Sequence, residues 1–141
     1  MFRSLIAGAL LLIGAHIPLQ ASTGPEKSDD FRRIITDQLA AFNADDETRA
    51  FSLVTPSLQH RFSSPHSFMA MVKQGYQPVY RQKSYLFADD VSDSSGPPIQ
   101  KVILVDQNGK VWNAIYAFER QMDGSWRISG CLLVELKSAD A

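Results

Sequence analysis

Cysteine is nearly absent from this chain: its 141 residues hold one, Cys131. One thiol cannot close an intrachain disulfide, and with no cysteine after the N-terminal apolar run, lipid attachment to an N-terminal cysteine is excluded. Charge of either sign is not in excess, the formal net charge being −1, so no basic surface points to nucleic acid as a partner. Histidine is scarce, with only His60 and His66 beyond the leader described below. A zinc site needs three or four ligands at helical or loop spacings. Two histidines six apart, with no cysteine or carboxylate pattern beside them, do not supply them. Asp89, Asp90 and Asp93 lack the alternating spacing of a calcium loop and read as a solvated loop. No glycine-rich phosphate loop, internal repeat or low-complexity tract is present. No cofactor or metal is therefore expected.

What is present begins with an export pattern. Arg3 precedes an apolar run from Leu5 to Ala15, Pro18 breaks any helix there, and Ala21 is a small residue before a cut. That layout is a secretory signal peptide over residues 1–21, and the run is shorter than the roughly 20 residues a membrane span needs. The expectation is a periplasmic or secreted protein with no stable membrane anchor after cleavage. Cutting 21 of 141 residues leaves 120, and losing Arg3 takes the charge from −1 to −2. A chain of that size forms one domain and buries enough surface to fold without a disulfide or metal.

Helices come first. Residues 22–27 contain Gly24-Pro25 and read as a flexible lead. Phe31, Ile34, Ile35, Gln38, Leu39 and Phe42 then recur at helical spacing, with Ser28 as cap and Asp29 and Asp30 suited to the positive helix end. Asp45, Asp46 and Glu47 open a second short helix carrying Ala50, Phe51 and Val54, and are read as cap and dipole complements. Pro56 ends it and starts a turn through Leu58 and Phe62. Ser64-Pro65 starts another helix with Phe68, Met71, Val72, Gly75 and Tyr76 inward, and Pro78 stops it. The period then drops to two. Strands are predicted over 79–90, 99–106, 110–121 and 125–137, a loop over 92–98, and a free tail over 138–141. Asn108-Gly109 and Asp123-Gly124 are hairpin turns. Helices followed by strands imply an α+β domain over 28–137, with a four-stranded antiparallel meander holding helices on one face.

Closing each hairpin through two residues sets a register. Val105 then opposes Trp112, Ile103 opposes Ala114, Lys101 opposes Tyr116 and Ile99 opposes Phe118. Across the second turn Tyr116 opposes Cys131, Ala114 opposes Leu133 and Phe118 opposes Ser129. One face collects Ile99, Ile103, Val105, Trp112, Ala114, Tyr116, Phe118, Cys131 and Leu133, with Lys101, Arg120 and Arg127. The other collects Val102, Leu104, Val111, Ile115, Ala117, Trp126, Ile128, Leu132, Val134 and Leu136, with Asp106 and Glu119. Both faces are largely apolar, whereas a sheet with helices on one side should be polar on the other. Two covers remain open: a second copy of the chain, giving a homodimer through the outer face, or the curl of the long strands.

Four stretches, IITDQLAAFNADD (34–46), SPHSFMAMVKQGYQPVYR (64–81), WNAIYAF (112–118) and DGSWRISGCLL (123–133), resemble the bacterial domain of unknown function 4864 family. The order of helices, curved sheet and closing Gly-x-Trp-Arg-Ile strand also resembles the nuclear transport factor 2-like superfamily. The second resemblance implies a cone, in which the sheet wraps the first helix around an apolar cavity. The first implies no activity. Some relatives in the superfamily are isomerases or dehydratases with a carboxylate base inside the cone, and no carboxylate is found on the aromatic face here.

The cavity candidates are Phe68, Tyr76, Trp112, Tyr116, Phe118 and Cys131, aromatic walls suited to a small apolar ligand or simply to filling a core. Cys131 is read as a buried, inert thiol, with a reactive thiol or an intermolecular bridge as the alternative. Two functional readings stand: a non-catalytic binding or protein-interaction module, or an enzyme or carrier of a small apolar ligand using the cone cavity.

Overall fold

Prolines and short polar side chains fix where the helices begin. The computed structural model describes residues 25–88 and 96–137; the expected leader, residues 92–95 of the expected loop and the tail lie outside them. Helix α1, Pro25–Asn43, starts three residues before the expected Ser28 cap, so the lead is helical from Pro25. Asp46 caps α2, Glu47–Ser52, by accepting from the Arg49 amide. Thr55 caps α3, Pro56–Gln59, and Ser64 caps α4, Pro65–Gly75, each with proline in the first turn. The strand predicted from Val79 starts later. Gln77–Tyr80 is a helical turn, α5, and β1 runs Gln82–Phe87.

β2 is Ile99–Asp106, β3 Val111–Arg120 and β4 Trp126–Glu135. They form one antiparallel meander in the order β1-β2-β3-β4, the α+β arrangement expected. The six-residue stripe of α1 is buried in full. In α4, Phe68 and Val72 are buried as expected, Met69 joins them, and Gly75 is exposed.

The register differs from the expectation because neither hairpin closes through two residues. The Asp106 amide donates to Lys110 O (2.9 Å) and the Gly109 amide to Asp106 O (3.1 Å), with Gly109 at φ +82°. The Asp106 carboxylate also accepts from the Asn108 and Lys110 amides, each at 2.9 Å. This carboxylate selects a three-residue loop ending in a left-handed glycine. The second hairpin repeats it: the Gln121 amide donates to Ser125 O (2.7 Å), and Gly124 sits at φ +86°.

A one-residue slip exchanges the faces of a strand. Leu104 opposes Trp112, Val102 opposes Ala114 and Lys101 opposes Ile115. Val102 and Leu104 are therefore core, while Ile99, Ile103 and Val105 face outward with Lys101. Between β3 and β4 a bulge at Ser129 cancels the slip, so Tyr116 opposes Cys131 and Ala114 opposes Leu133, as expected. Nearer the turn Phe118 opposes Ile128 and Arg120 opposes Trp126, which brings Ile128 and Trp126 to the helix side and sends Arg127 outward opposite Glu119. The edge of β4 is partly covered: the Thr55 amide donates to Ile128 O and the Ile128 amide to Leu53 O, both at 2.9 Å.

Candidate functional site

The helix side of the sheet is filled at one end and open at the other. At the filled end Phe31 of α1 stacks on Phe118 at 4.0 Å between centroids, and Trp126 meets the Phe31 ring edge-on at 5.1 Å. Beyond the bulge α1, α4 and β4 diverge around a cavity of about 280 Å³. Gln38 and Phe42 reach it from α1, Phe68, Met71, Val72 and Tyr76 from α4 and its end, Tyr116 from β3, and Ile128 to Cys131 from β4. Val54, Leu58, Arg61 and Val79 complete the wall. The size lies just under the roughly 300–1,000 Å³ of small-molecule sites.

Four of the six expected residues are brought together here: Phe68, Tyr76, Tyr116 and Cys131. Phe118 belongs to the filled end. Trp112 lies towards the β2–β3 turn, where its indole N–H donates to Asp106 Oδ2 at 2.9 Å. That bond, with burial opposing it and the turn amides reinforcing it, holds the Asp106 carboxyl below its usual range. Asp106 sits on the helix side rather than the outer side assigned from sequence, and it serves the turn.

The polar groups of the cavity are few. Gln38 is buried and donates through Nε2 to Ala50 O at 3.2 Å. Tyr116 is 1% exposed, and its hydroxyl lies against the Cys131 thiol with no oxygen or nitrogen partner. Burial, with the neighbouring Cys131 second, raises that hydroxyl well above 10.0, so it stays protonated. Cys131 is partly exposed as a residue, yet its thiol is enclosed by protein, which pushes it up to about 12. Among the described residues no carboxylate or imidazole lines the cavity. Arg61 is the one charged residue of the wall among the described residues, and it is exposed.

Other sequence candidates are occupied elsewhere. His66 lies on the surface with Nδ1 3.1 Å from Glu47 Oε2, and His60 is exposed at the end of α3. Asp45, at φ +54°, accepts from the Tyr80 hydroxyl and pairs with Arg81 Nη2 at 2.8 Å. The Tyr80 bond is the main cause of its lowered pKa, against a smaller opposing effect of burial. Arg81 also donates to Phe42 O, so this cluster ties the end of α1 to the start of β1. Asp89, Asp90 and Asp93 lie outside the described residues. Among the described residues no group of three metal-ligating side chains converges, and no helix is long and apolar enough to cross a membrane.

Sequence reasoning missed Met71 and Gln38 as cavity residues although both stood on the inner stripes. It missed Ser129 because the bulge leaves no mark in the hydrophobic pattern. A family model described as a domain of unknown function, DUF4864, matches residues 25–141. No curated protein matches the chain, and no solved structure does.

Proposed function

We propose, for a chain that belongs to the DUF4864 family, that it is an exported, non-catalytic binding module that holds a small, largely apolar molecule in the cavity between α4 and β4. The fold reading that accompanies this is the cone of the nuclear transport factor 2-like superfamily. One observation carries the proposal: the chain stacks rings at one end of its core and leaves about 280 Å³ at the other, walled by aromatic and aliphatic side chains. Binding groups are present there, while the carboxylate base that isomerase chemistry in such a cone requires is not in the wall. Export rests on the leader pattern of residues 1–21.

Native mass spectrometry of protein taken from its own cell envelope tests the ligand. A retained small mass that disappears in Met71→Trp, which fills the cavity, supports the proposal; a mass retained by that variant places the ligand elsewhere. Envelope protein that begins at Met1 defeats the export reading.

The outer sheet face favours a second, compatible reading, a homodimer. Leu86 and Leu132 are 58% and 60% exposed and Val134 42%, and the register places Ile103 and Ile115 among them. Lys101, Glu119 and Arg127 share this face, so its charges of both signs nearly cancel, and a twofold copy would bury its apolar side chains against themselves. Ile115→Glu then yields a folded monomer by sedimentation. A wild type that is monomeric at high concentration removes this reading.

A further inference from the structure

The arginines of this chain are nearly all engaged. Arg33, Arg49 and Arg81 pair with carboxylates. Arg127 Nη1 lies 3.5 Å from Val54 O, and Arg32 and Arg120 lie over the rings of Phe87 and Trp126. Arg61 is the exception among the described residues, with no carboxylate, carbonyl or ring against its guanidinium. It is also the arginine that the fold sets on the cavity wall, just past the end of α3. It is exposed, so its apolar stem borders the cavity while its charged head stands in water at the mouth.

We infer that the cavity takes an amphipathic anion, its apolar body enclosed between α4 and β4 and its oxyanion head held at the mouth by Arg61. The inference rests on the cavity reading above and deepens it. The inner wall is mostly aromatic and aliphatic, and Arg61 is its one cation among the described residues. An ionised head therefore stays outside, where water and the guanidinium both solvate it, and only the body is buried. A planar guanidinium offers two parallel N–H donors to two oxygens of one head, which suits a carboxylate. A cationic head would meet a like charge at the mouth and no carboxylate in the wall.

Decanoate and 1-decanol share a chain and differ in the head. Each is measured by displacement of the fluorescent apolar probe N-phenyl-1-naphthylamine from wild type, Arg61→Gln and Arg61→Lys. The affinity ratio of decanoate to decanol should fall about two- to fivefold in Arg61→Gln, the worth of one solvent-exposed ion pair. Arg61→Lys keeps the charge and should recover part of that ratio. Arg33→Gln, which makes the same change in net charge on α1, should leave it unchanged. The neutral fluorescent probe should bind every variant alike, which reports an intact cavity. A ratio unchanged in Arg61→Gln, or lowered equally in Arg33→Gln, overturns the role of Arg61 while the cavity reading survives. Wild type that binds neither decanol nor the fluorescent probe overturns both.

Discussion

Phe118 and Tyr116 stand two residues apart on the same side of β3 and meet different neighbours. Phe118 is stacked on Phe31 with 8° between the rings and is 1% exposed. Tyr116 is buried as deeply, yet it lines the cavity and its hydroxyl lies against a thiol with no oxygen or nitrogen partner. The same two elements, α1 and the sheet, enclose both. The difference lies in β4, which beyond Ser129 is no longer bridged to the Leu53–Thr55 segment. One end of this core is optimised for packing. The other keeps a polar atom and a void, features that cost stability and that selection for packing alone would remove.

Truncation at the filled end should have the largest effect. Phe118→Ala removes a ring from a closed stack and should cost about 3–5 kcal/mol in urea unfolding; a loss below 1 kcal/mol would mean the two ends are packed alike. Cys131→Ser, on the cavity wall, should cost less, about 1–3 kcal/mol, for a hydroxyl placed where a thiol was enclosed. The thiol itself should label slowly. With its pKa pushed up to about 12, only about 10⁻⁴ of it is thiolate at pH 8. Rapid labelling of the folded protein, at the rate seen in urea, would place the thiol in solvent.

Alkaline pH separates the two ends by titration, since Cys131 and Tyr116, the two groups whose pKa values burial raises, both line the open end. The unfolded chain loses the Cys131 proton around 9.0 and the Tyr116 proton around 10.0, while the folded chain holds both to higher pH. Stability is thus full below pH 9 and declines as pH rises from there towards 12, by up to about 1.4 kcal/mol per pH unit for each group. Cys131→Ala and Tyr116→Phe should each flatten that decline, and Phe118→Leu should not. The smallest effect is expected from Tyr116→Phe at neutral pH. Removing a buried hydroxyl whose neighbour is a weakly accepting thiol should leave the melt unchanged or raise stability by about 1 kcal/mol. A clear loss would show that the hydroxyl is already paired in the empty protein.

How far these two ends could be read from the residues depended on the range of the signal. The α1 stripe from Phe31 to Phe42 was legible because helical spacing is set within a single turn, and Gln38 stood out as its polar member. The strands of the two hairpins were legible from their period of two. Their faces were not. The Asp106 carboxylate lengthens the first loop by one residue, and that single choice moved Val102 and Leu104 into the core. The pair Tyr116 and Cys131 was placed correctly only because the slip at Gly124 and the bulge at Ser129 offset each other. Phe118, between the two, was assigned to the cavity and belongs to the stack. The Asp45–Arg81 pair was out of reach, since a contact across 36 residues leaves no local pattern.

Ser129 is the surplus residue of β4, and its position makes the cavity separable from the fold by the smallest of genetic changes. Losing that one codon would leave Ile128 free to oppose Phe118 and Cys131 free to oppose Tyr116, so every cross-strand partnership of the hairpin survives. The strand would lose the bend that a bulge imposes, at the point where β4 turns away from α4 and the wall opens. A chain without Ser129 would keep the hydrophobic pattern on either side untouched while its open end closed or narrowed.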